Sequence, residues 1–309
     1  MNFTINYRNN INDKFNLKNL AECKKLIEKN KLEFINKGIQ GEVFKVFSSD
    51  CGSVIVKKRI IDEKEKKWKN NKQWITEEFE TEYKIMLLTN RMIDKFICPN
   101  FIEAYDFDAN NLLLTMEYAD GDSSFLFKDE YQEEDIYKSY LCQVLIALYA
   151  FTNYTQLYHR DVKPKNIFYK KINQDIVLHY KINNNNYYVP TYGYLFMLAD
   201  FGSAKFKLDE RTDDITNLNY KIIKEYLVNI LKDNTNKTKI LESINRNNNI
   251  DMNNIAKQIK NININKYVYE IYDILNFSKN PLEIINKYFS DFTINKYSDK
   301  KIINFTIDF

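Results

Sequence analysis

The sequence predicts an α+β fold in two parts: a small strand-rich N-terminal part and a larger, mainly helical C-terminal part. The length of 309 residues is enough for about two domains. Short apolar, β-branched runs bounded by turn residues lie between residues 32 and 119, and these are typical of strands. From residue 120 onward the apolar residues recur at helical spacing.

Composition narrows the functions open to the chain. The 45 Lys and Arg residues nearly balance the 42 Asp and Glu residues, which disfavours a specific nucleic-acid partner. The apolar run from Leu141 to Phe151 is too short for a membrane span, which needs about 20 residues. The four cysteines have no CxxC spacing, so a disulfide scaffold or zinc site is not expected. We therefore expect an intracellular, cytoplasmic protein that has no membrane span.

The N-terminal strands can be placed one by one. Leu32–Ile35 and Val43–Phe47 form two predicted strands, and the turn between them carries Gly38 and Gly41. A third strand is predicted at Ser53–Lys57. The charged block 62–93 favours a helix, and two further strands are predicted at 101–107 and 112–117.

The C-terminal part is predicted to be helical apart from short strands that flank two polar turns. An apolar stripe from Ile136 to Leu148 repeats at the spacing of one helix face. The remainder, from Asp214 onward, is predicted to be helical and rich in Asn, with a stretch near low complexity at 244–265. Its aromatic residues are predicted to be core; they include Tyr267, Tyr269, Tyr272 and Phe277.

One short run, His159–Asn166, combines three side chains that suit phosphoryl transfer. Asp161 can accept a proton from a hydroxyl group. Lys163 can neutralise charge on a transferring phosphoryl group, and Asn166 can hold a metal ion through its amide oxygen. A random chain of this size would rarely contain this run.

Three less specific clusters accompany it. Gly38 and Gly41 suit a backbone turn that offers N–H groups to phosphate oxygens, although most such turns are simple hairpins. Lys57 ends an apolar strand and could pair with phosphates or a carboxylate, or lie along the surface. Asp200 follows an apolar strand and precedes Phe201-Gly202, which suits Mg²⁺ binding at a turn.

Together and in this order, the four clusters match the signature motifs of protein kinases. The sequence resembles the eukaryotic-type protein kinase superfamily from about Leu32 onward. By this resemblance Glu82 pairs with Lys57, and Met116 is the gatekeeper before a hinge whose backbone at Glu117 and Ala119 meets adenine. Lys163, two residues after Asp161, resembles the serine/threonine kinases.

The resemblance implies a bilobal fold and an ATP-dependent serine/threonine protein kinase whose partner is a protein bearing the acceptor hydroxyl. ATP and Mg²⁺ are the implied cofactors. The implied catalytic residues are Asp161, Lys163, Lys57 and Glu82. The implied nucleotide-binding residues are Ile35, Gly38, Gly41, Val43, Lys57, Met116, Glu117 and Ala119. The implied metal ligands are Asn166 and Asp200.

The chain departs from the family pattern in three places. Asn36 stands where the glycine-rich loop has its first glycine. An enlarged insert, 167–199, precedes Asp200 and is predicted to contain an extended hairpin; it resembles kinases of large DNA viruses. No Ala-Pro-Glu motif follows Gly202, so we expect a shortened activation segment, with Asp213 or Asp214 replacing the missing helix aspartate.

The predicted organisation is an N-terminal helical extension at 1–31, an N-lobe with hinge at 32–119 and a C-lobe at 120–309. Two other functions stay open. A kinase fold that binds a partner but transfers little phosphate would fit the missing Ala-Pro-Glu motif. A small-molecule kinase on a related fold fits less well, because such enzymes generally lack a lysine at the position of Lys163.

Overall fold

The computed structural model describes residues 33–37, 41–48, 52–60, 72–128, 133–206, 213–230 and 266–308. The predicted extension at 1–31, the Asn-rich stretch at 244–265 and Gly38 lie outside these residues. The chain divides into two units. The first contains the described residues up to Lys95 together with Phe101–Ala119, and the second contains Phe96–Asn100 and the described residues from Asp120 onward. No helix in the described ranges is long and apolar enough to cross a membrane.

The first unit is one antiparallel sheet of five strands with one long helix. The strands follow the order β1-β2-β3-β5-β4 across the sheet. Their bounds are β1 Glu33–Lys37, β2 Gly41–Ser48, β3 Gly52–Arg59, β4 Ala104–Asp108 and β5 Leu113–Glu117, and helix α1 spans Lys72–Asp94. The predicted strands are therefore confirmed, although β4 begins three residues later than the apolar pattern indicates. The predicted helix is confirmed from Lys72 onward, and residues 62–71 lie outside the described residues.

Alternation of buried valines explains the central strands of this sheet. Val46, Val54, Val56 and Leu113 form one apolar cluster at its core. Gly41 is required by the close approach of β3, since a Cβ atom there would lie 2.5 Å from the carbonyl oxygen of Lys58.

The second unit combines helices with two three-stranded sheets and one two-stranded sheet. The sheets have the orders β10-β9-β13, β11-β8-β6 and β12-β7. The strands are β6 Gly121–Asp122, β7 Leu157–Tyr158, β8 Ile167–Lys171, β9 Ile176–Ile182, β10 Asn185–Pro190, β11 Tyr194–Leu198, β12 Lys205–Phe206 and β13 Lys301–Ile307. The helices are α2 Glu134–Thr155, α3 Asp214–Ile230, α4 Lys266–Phe277 and α5 Pro281–Tyr288.

Helix α2 is the apolar centre of the second unit. The stripe predicted from Ile136 to Leu148 lies within it, and the helix is buried almost continuously from Ser139 to Leu148. Helix α2 ends where Gln156 adopts a left-handed conformation with φ of 60°, and the Gln156 N–H closes the last turn on Thr152 O.

The insert before Asp200 forms the predicted hairpin. Strands β9 and β10 pair in antiparallel register around the turn at Asn183 and Asn184. Strand β13 pairs with β9 in parallel along its full length. The prediction of helix from Asp214 onward is therefore wrong for residues 301–307, where buried and exposed side chains alternate with the period of a strand.

A chain of buried contacts connects this sheet to the rest of the second unit. The Phe305 ring of β13 stacks on Tyr180 of β9 at 5.6 Å. The Tyr180 hydroxyl donates to Asn100 Oδ1 at 2.6 Å, and burial raises the pKa of Tyr180 well above its usual value, which keeps this donor protonated. Asn100 Nδ2 donates to Gln143 Oε1 and to Phe196 O, at 3.0 and 2.7 Å. Helix α2 and strand β11 are thereby joined to the C-terminal strand.

The prediction that the C-terminal aromatic residues are core is wrong for Phe277, whose side chain is 44% exposed. The Lys287 ammonium lies 3.6 Å from the centre of the Phe277 ring, and Tyr288 packs edge-on against the same ring. Phe277 therefore takes part in a surface cation–π cluster at the end of α4.

Truncation of Phe305 tests the contribution of β13. We expect Phe305→Ala to lower the free energy of unfolding by about 3–5 kcal/mol, because it removes a buried ring and its stacking on Tyr180. Thr306→Ala, an exposed neighbour on the same strand, is the matched control and should cost less than about 1 kcal/mol. Urea unfolding followed by circular dichroism measures both values; equal small losses would contradict this role for β13.

Candidate active site

In the first unit a part-buried ion pair joins β3 to helix α1. The Lys57 Nζ atom lies 2.8 Å from Glu82 Oε1 and 3.1 Å from Oε2, so both carboxylate oxygens accept from it. The two side chains are 18% and 6% exposed. Lys57 also lies 5.7 Å from the centre of the Phe79 ring on the same helix. A charge pair with so little solvent holds both side chains in fixed positions.

The other candidate nucleotide-binding residues of the first unit lie on or beside its strands. Val43 in β2 is directly opposite Lys57 in β3, and Ile35 in β1 is exposed. Met116 in β5 is half-buried and pairs with Ile55. Ala119 follows β5 and is half-buried.

Glu117, the last residue of β5, is held by two contacts to Glu103. Its N–H donates to Glu103 O at 2.8 Å, and its carboxylate accepts from Glu103 N at 3.5 Å. The side chain is 2% exposed, so the end of β5 is anchored within the unit.

In the second unit the three predicted residues of the polar turn meet at one carboxylate. Asp161 Oδ2 accepts from the Lys163 ammonium and from Asn166 Nδ2, the latter at 3.0 Å. Asn166 Nδ2 also donates to Asp161 O at 2.9 Å. Two donors from the same turn therefore fix the position of the Asp161 carboxylate.

Strands β8 and β11 are paired, and their pairing places Asp200 at the end of the strand pair where the polar turn also lies. Leu198 pairs with Ile167, and Ala199 N donates to Asn166 O at 3.0 Å. Asn166 immediately precedes β8, and Asp200 follows β11 by two residues. Asp200 is in the left-handed region with φ of 64°, which ends the strand at this point.

The donor set at this end of the ladder fits Mg²⁺. Because Asn166 Nδ2 is used by Asp161, the Asn166 Oδ1 atom is the one that can face a cation, and Asp200 adds a carboxylate. Oxygen ligands from one or two side chains, completed by phosphates and water, are typical of Mg²⁺. Within the described residues no group of three or more His, Cys, Asp or Glu side chains could hold a metal ion.

Asp214, the first residue of helix α3, binds the start of the polar turn through two hydrogen bonds. Asp214 Oδ2 accepts from His159 N at 2.8 Å, and Asp214 Oδ1 accepts from Arg160 N at 2.6 Å. Asp213 instead caps α3 through Thr216 N at 2.8 Å. Of the two aspartates left open by the sequence, Asp214 therefore makes the contact with the turn.

His159 contacts the two residues on either side of Asp200. Its Nε2 atom is 3.0 Å from Ala199 O, and its ring lies 4.9 Å from that of Phe201. The side chain is fully buried. A buried ring in this position fixes the spacing between the turn and the end of β11.

Comparison with known proteins agrees with the family resemblance that the sequence motifs indicate. A family model described as the protein kinase domain matches residues 30–226. The chain belongs to the protein kinase family. A probable serine/threonine-protein kinase of Dictyostelium discoideum is 28% identical over 130 residues, which cover 39% of this chain. The chain spans about 9% of the length of this relative.

The kinase family match covers the candidate residues of each unit and ends inside helix α3. Helices α4 and α5 and strand β13 lie beyond it. The fold prediction is confirmed at the level of the family, whereas the likeness to kinases of large DNA viruses stays a prediction.

Asn217, which contacts Arg160 of the polar turn, is not evident from the motifs. Arg160 is left-handed with φ of 66°, a conformation that costs roughly 1–3 kcal/mol outside glycine. Its N–H is bound by Asp214, and its carbonyl accepts from Asn217 Nδ2 at 2.7 Å. Asn217 is three residues after Asp214 on α3, and this i, i+3 spacing is the signal that could have identified it.

Burial raises the pKa of Asp214 above its ordinary value, although His159 and the two backbone N–H donors act in the opposite direction. The largest cause of this raised pKa is the removal of the carboxylate from solvent. Removal of its oxygens would leave the N–H groups of His159 and Arg160 without acceptors, at about 1–3 kcal/mol for a buried group.

Exchange of backbone amides tests this arrangement. We expect Asp214→Ala to raise the hydrogen-exchange rates of the His159 and Arg160 amides by at least about tenfold, because both lose their acceptor. Asp213→Ala is the matched control, since it removes the cap of α3 but no contact of the turn. Unchanged protection of both amides in Asp214→Ala would contradict the role of this carboxylate.

Proposed function

We propose that this chain is a serine/threonine protein kinase that transfers the γ-phosphoryl group of Mg-ATP to a protein hydroxyl. The carrying observation is the shared carboxylate of the polar turn, where Asp161 accepts from both Lys163 and Asn166. A proton acceptor, a cation and a metal-binding amide are thus kept within one turn, as phosphoryl transfer requires.

Asp161 is the proposed catalytic base. It accepts the proton of the acceptor hydroxyl while the acceptor oxygen forms a bond to the γ-phosphorus. The bond from the γ-phosphorus to the bridging oxygen breaks, and ADP carries away that oxygen with its electron pair. Lys163 balances the negative charge on the transferring group. Because this transition state is loose, positioning and charge stabilisation supply most of the acceleration.

Asn166 and Asp200 are the proposed ligands of Mg²⁺, which when bound neutralises charge on the phosphate oxygens. Lys57 is the proposed partner of the α- and β-phosphates, and Glu82 keeps its ammonium in position. The remaining proposed nucleotide contacts come from the glycine turn and from the backbone at Glu117 and Ala119.

Two observations support serine or threonine as the acceptor. Lys163 has the position that resembles serine/threonine kinases, and its contact with Asp161 keeps the lysine at the proposed base. The Dictyostelium relative is described as a probable serine/threonine-protein kinase.

A radiolabelled γ-phosphate transfer assay with Mg²⁺ and generic acidic and basic protein acceptors tests the proposal. We expect transfer to serine or threonine, and a loss of about 10²–10⁴-fold in Asp161→Asn, because the general base is removed. Asp299→Asn, an exposed aspartate of the same unit, is the control and should keep full activity. Transfer that persists in Asp161→Asn would overturn the role of Asp161. Mg-ATP binding without transfer in the unmodified chain would favour a binding module instead.

The ion pair of the first unit provides a second test. We expect Lys57→Met to weaken Mg-ATP binding at least about tenfold, because the phosphates lose a cation and meet the Glu82 carboxylate. Lys58→Met is the matched control, since Lys58 is the next residue of β3 and is exposed. Isothermal titration calorimetry measures both dissociation constants. Equal affinities for the two variants would exclude Lys57 from nucleotide binding.

A further inference from the structure

One face of helix α3 lies along the whole polar turn. Asp214 binds the amides of His159 and Arg160, and three residues later Asn217 donates to Arg160 O. Two turns further along, Glu225 forms an ion pair with Lys165 at 3.7 Å. The helix therefore contacts the turn at its start and again near its end.

Lys221 lies between these contacts on the same face. It is four residues after Asn217 and four residues before Glu225, and residues at this spacing share one side of a helix. Since Asn217 meets Arg160 and Glu225 meets Lys165, the position of Lys221 corresponds to the middle of the turn, at Asp161–Pro164.

The electrostatics of Lys221 agree with this placement. Burial lowers its pKa, Asp161 acts in the opposite direction, and Lys163 and Lys224 lower it further. Lys221 thus interacts with both Asp161 and Lys163, the two charged residues at the proposed site of transfer.

Lys224 extends the positive charge along the helix. The Nζ atoms of Lys221 and Lys224 lie 5.9 and 5.8 Å from the centre of the same ring, that of Tyr220. Two carboxylates of this region pair with other lysines: Glu225 pairs with Lys165, and Asp213 pairs with Lys279 at 3.3 Å. Among the described residues, no carboxylate forms an ion pair with Lys221.

We propose that Lys221 and Lys224 form an acceptor subsite that binds acidic residues flanking the phosphorylated serine or threonine. The inference rests on the proposed function, because it places the acceptor hydroxyl at Asp161. A carboxylate or phosphate one to three residues from that hydroxyl lies within roughly 3–10 Å of it along an extended peptide. Lys221, which interacts with Asp161, and Lys224, three residues further along the helix, attract such groups and repel basic ones.

Three peptides with one acceptor serine and acidic, alanine or basic flanks provide the test. We expect kcat/KM to fall in that order, and the preference for the acidic peptide to shrink as salt rises. In the double variant Lys221→Gln with Lys224→Gln, the ratio of acidic to alanine-flanked kcat/KM should fall about tenfold, as two part-exposed ion pairs predict. A fourth peptide with phosphoserine flanks separates phosphate from carboxylate recognition.

Lys181→Gln, an exposed lysine of the insert, is the control and should leave this ratio unchanged. A preference for basic flanks, or an equal loss for acidic and alanine-flanked peptides in the double variant, would overturn the subsite. If the unmodified chain phosphorylates no peptide, the proposed function fails. The subsite is then decided by fluorescence anisotropy, which must show weaker binding of the acidic peptide in the double variant and fails if binding is equal.

Discussion

The hydrogen bonds from the His159 and Arg160 amides to the Asp214 carboxylate carry the arrangement of the polar turn. They stabilise Arg160 in a left-handed conformation, and the next residue, Asp161, is thereby set at the point where Lys163 and Asn166 reach it. Because Asp214 is buried, these bonds face less competition from water than bonds at the surface. The chemistry proposed for this chain depends on that one carboxylate, which touches none of the reacting groups.

The position of Asp214 in the sequence has a mechanistic consequence. Helix α3 begins only fourteen positions after Asp200 (200 to 214), so the segment that usually lies between these elements in kinases is shortened. The helix itself meets the turn through Asp214, Asn217 and Glu225. We infer that a turn held in this way by its own helix needs no phosphorylated residue to order it. The two lysines of the proposed acceptor subsite, Lys221 and Lys224, lie on the same helix.

Many of the strands, helices and candidate site residues can be predicted from the sequence. The other features depend on contacts between residues that are distant in the sequence or that differ only in what they face. Local patterns predict the strands around Lys57, the helix that carries Glu82 and the turn from His159 to Asn166, and these elements agree with the structure over the described residues. Strand β13 was missed because its alternation lies in an Asn- and Lys-rich context and its partner, β9, is more than a hundred residues away. The choice between Asp213 and Asp214 required the structure, since adjacent aspartates at a helix start differ only in what they face.

The time course of phosphoryl transfer by fully dephosphorylated protein tests most directly whether the turn is held by Asp214 and needs no phosphorylation. The chain is treated with a phosphatase, its phosphate-free state is verified by intact mass, and transfer is followed from the first seconds after Mg-ATP is added. A preformed turn predicts a rate that is linear from the first time point and independent of prior incubation with ATP. A lag that disappears after such incubation would show that phosphorylation orders the site, and would contradict the account.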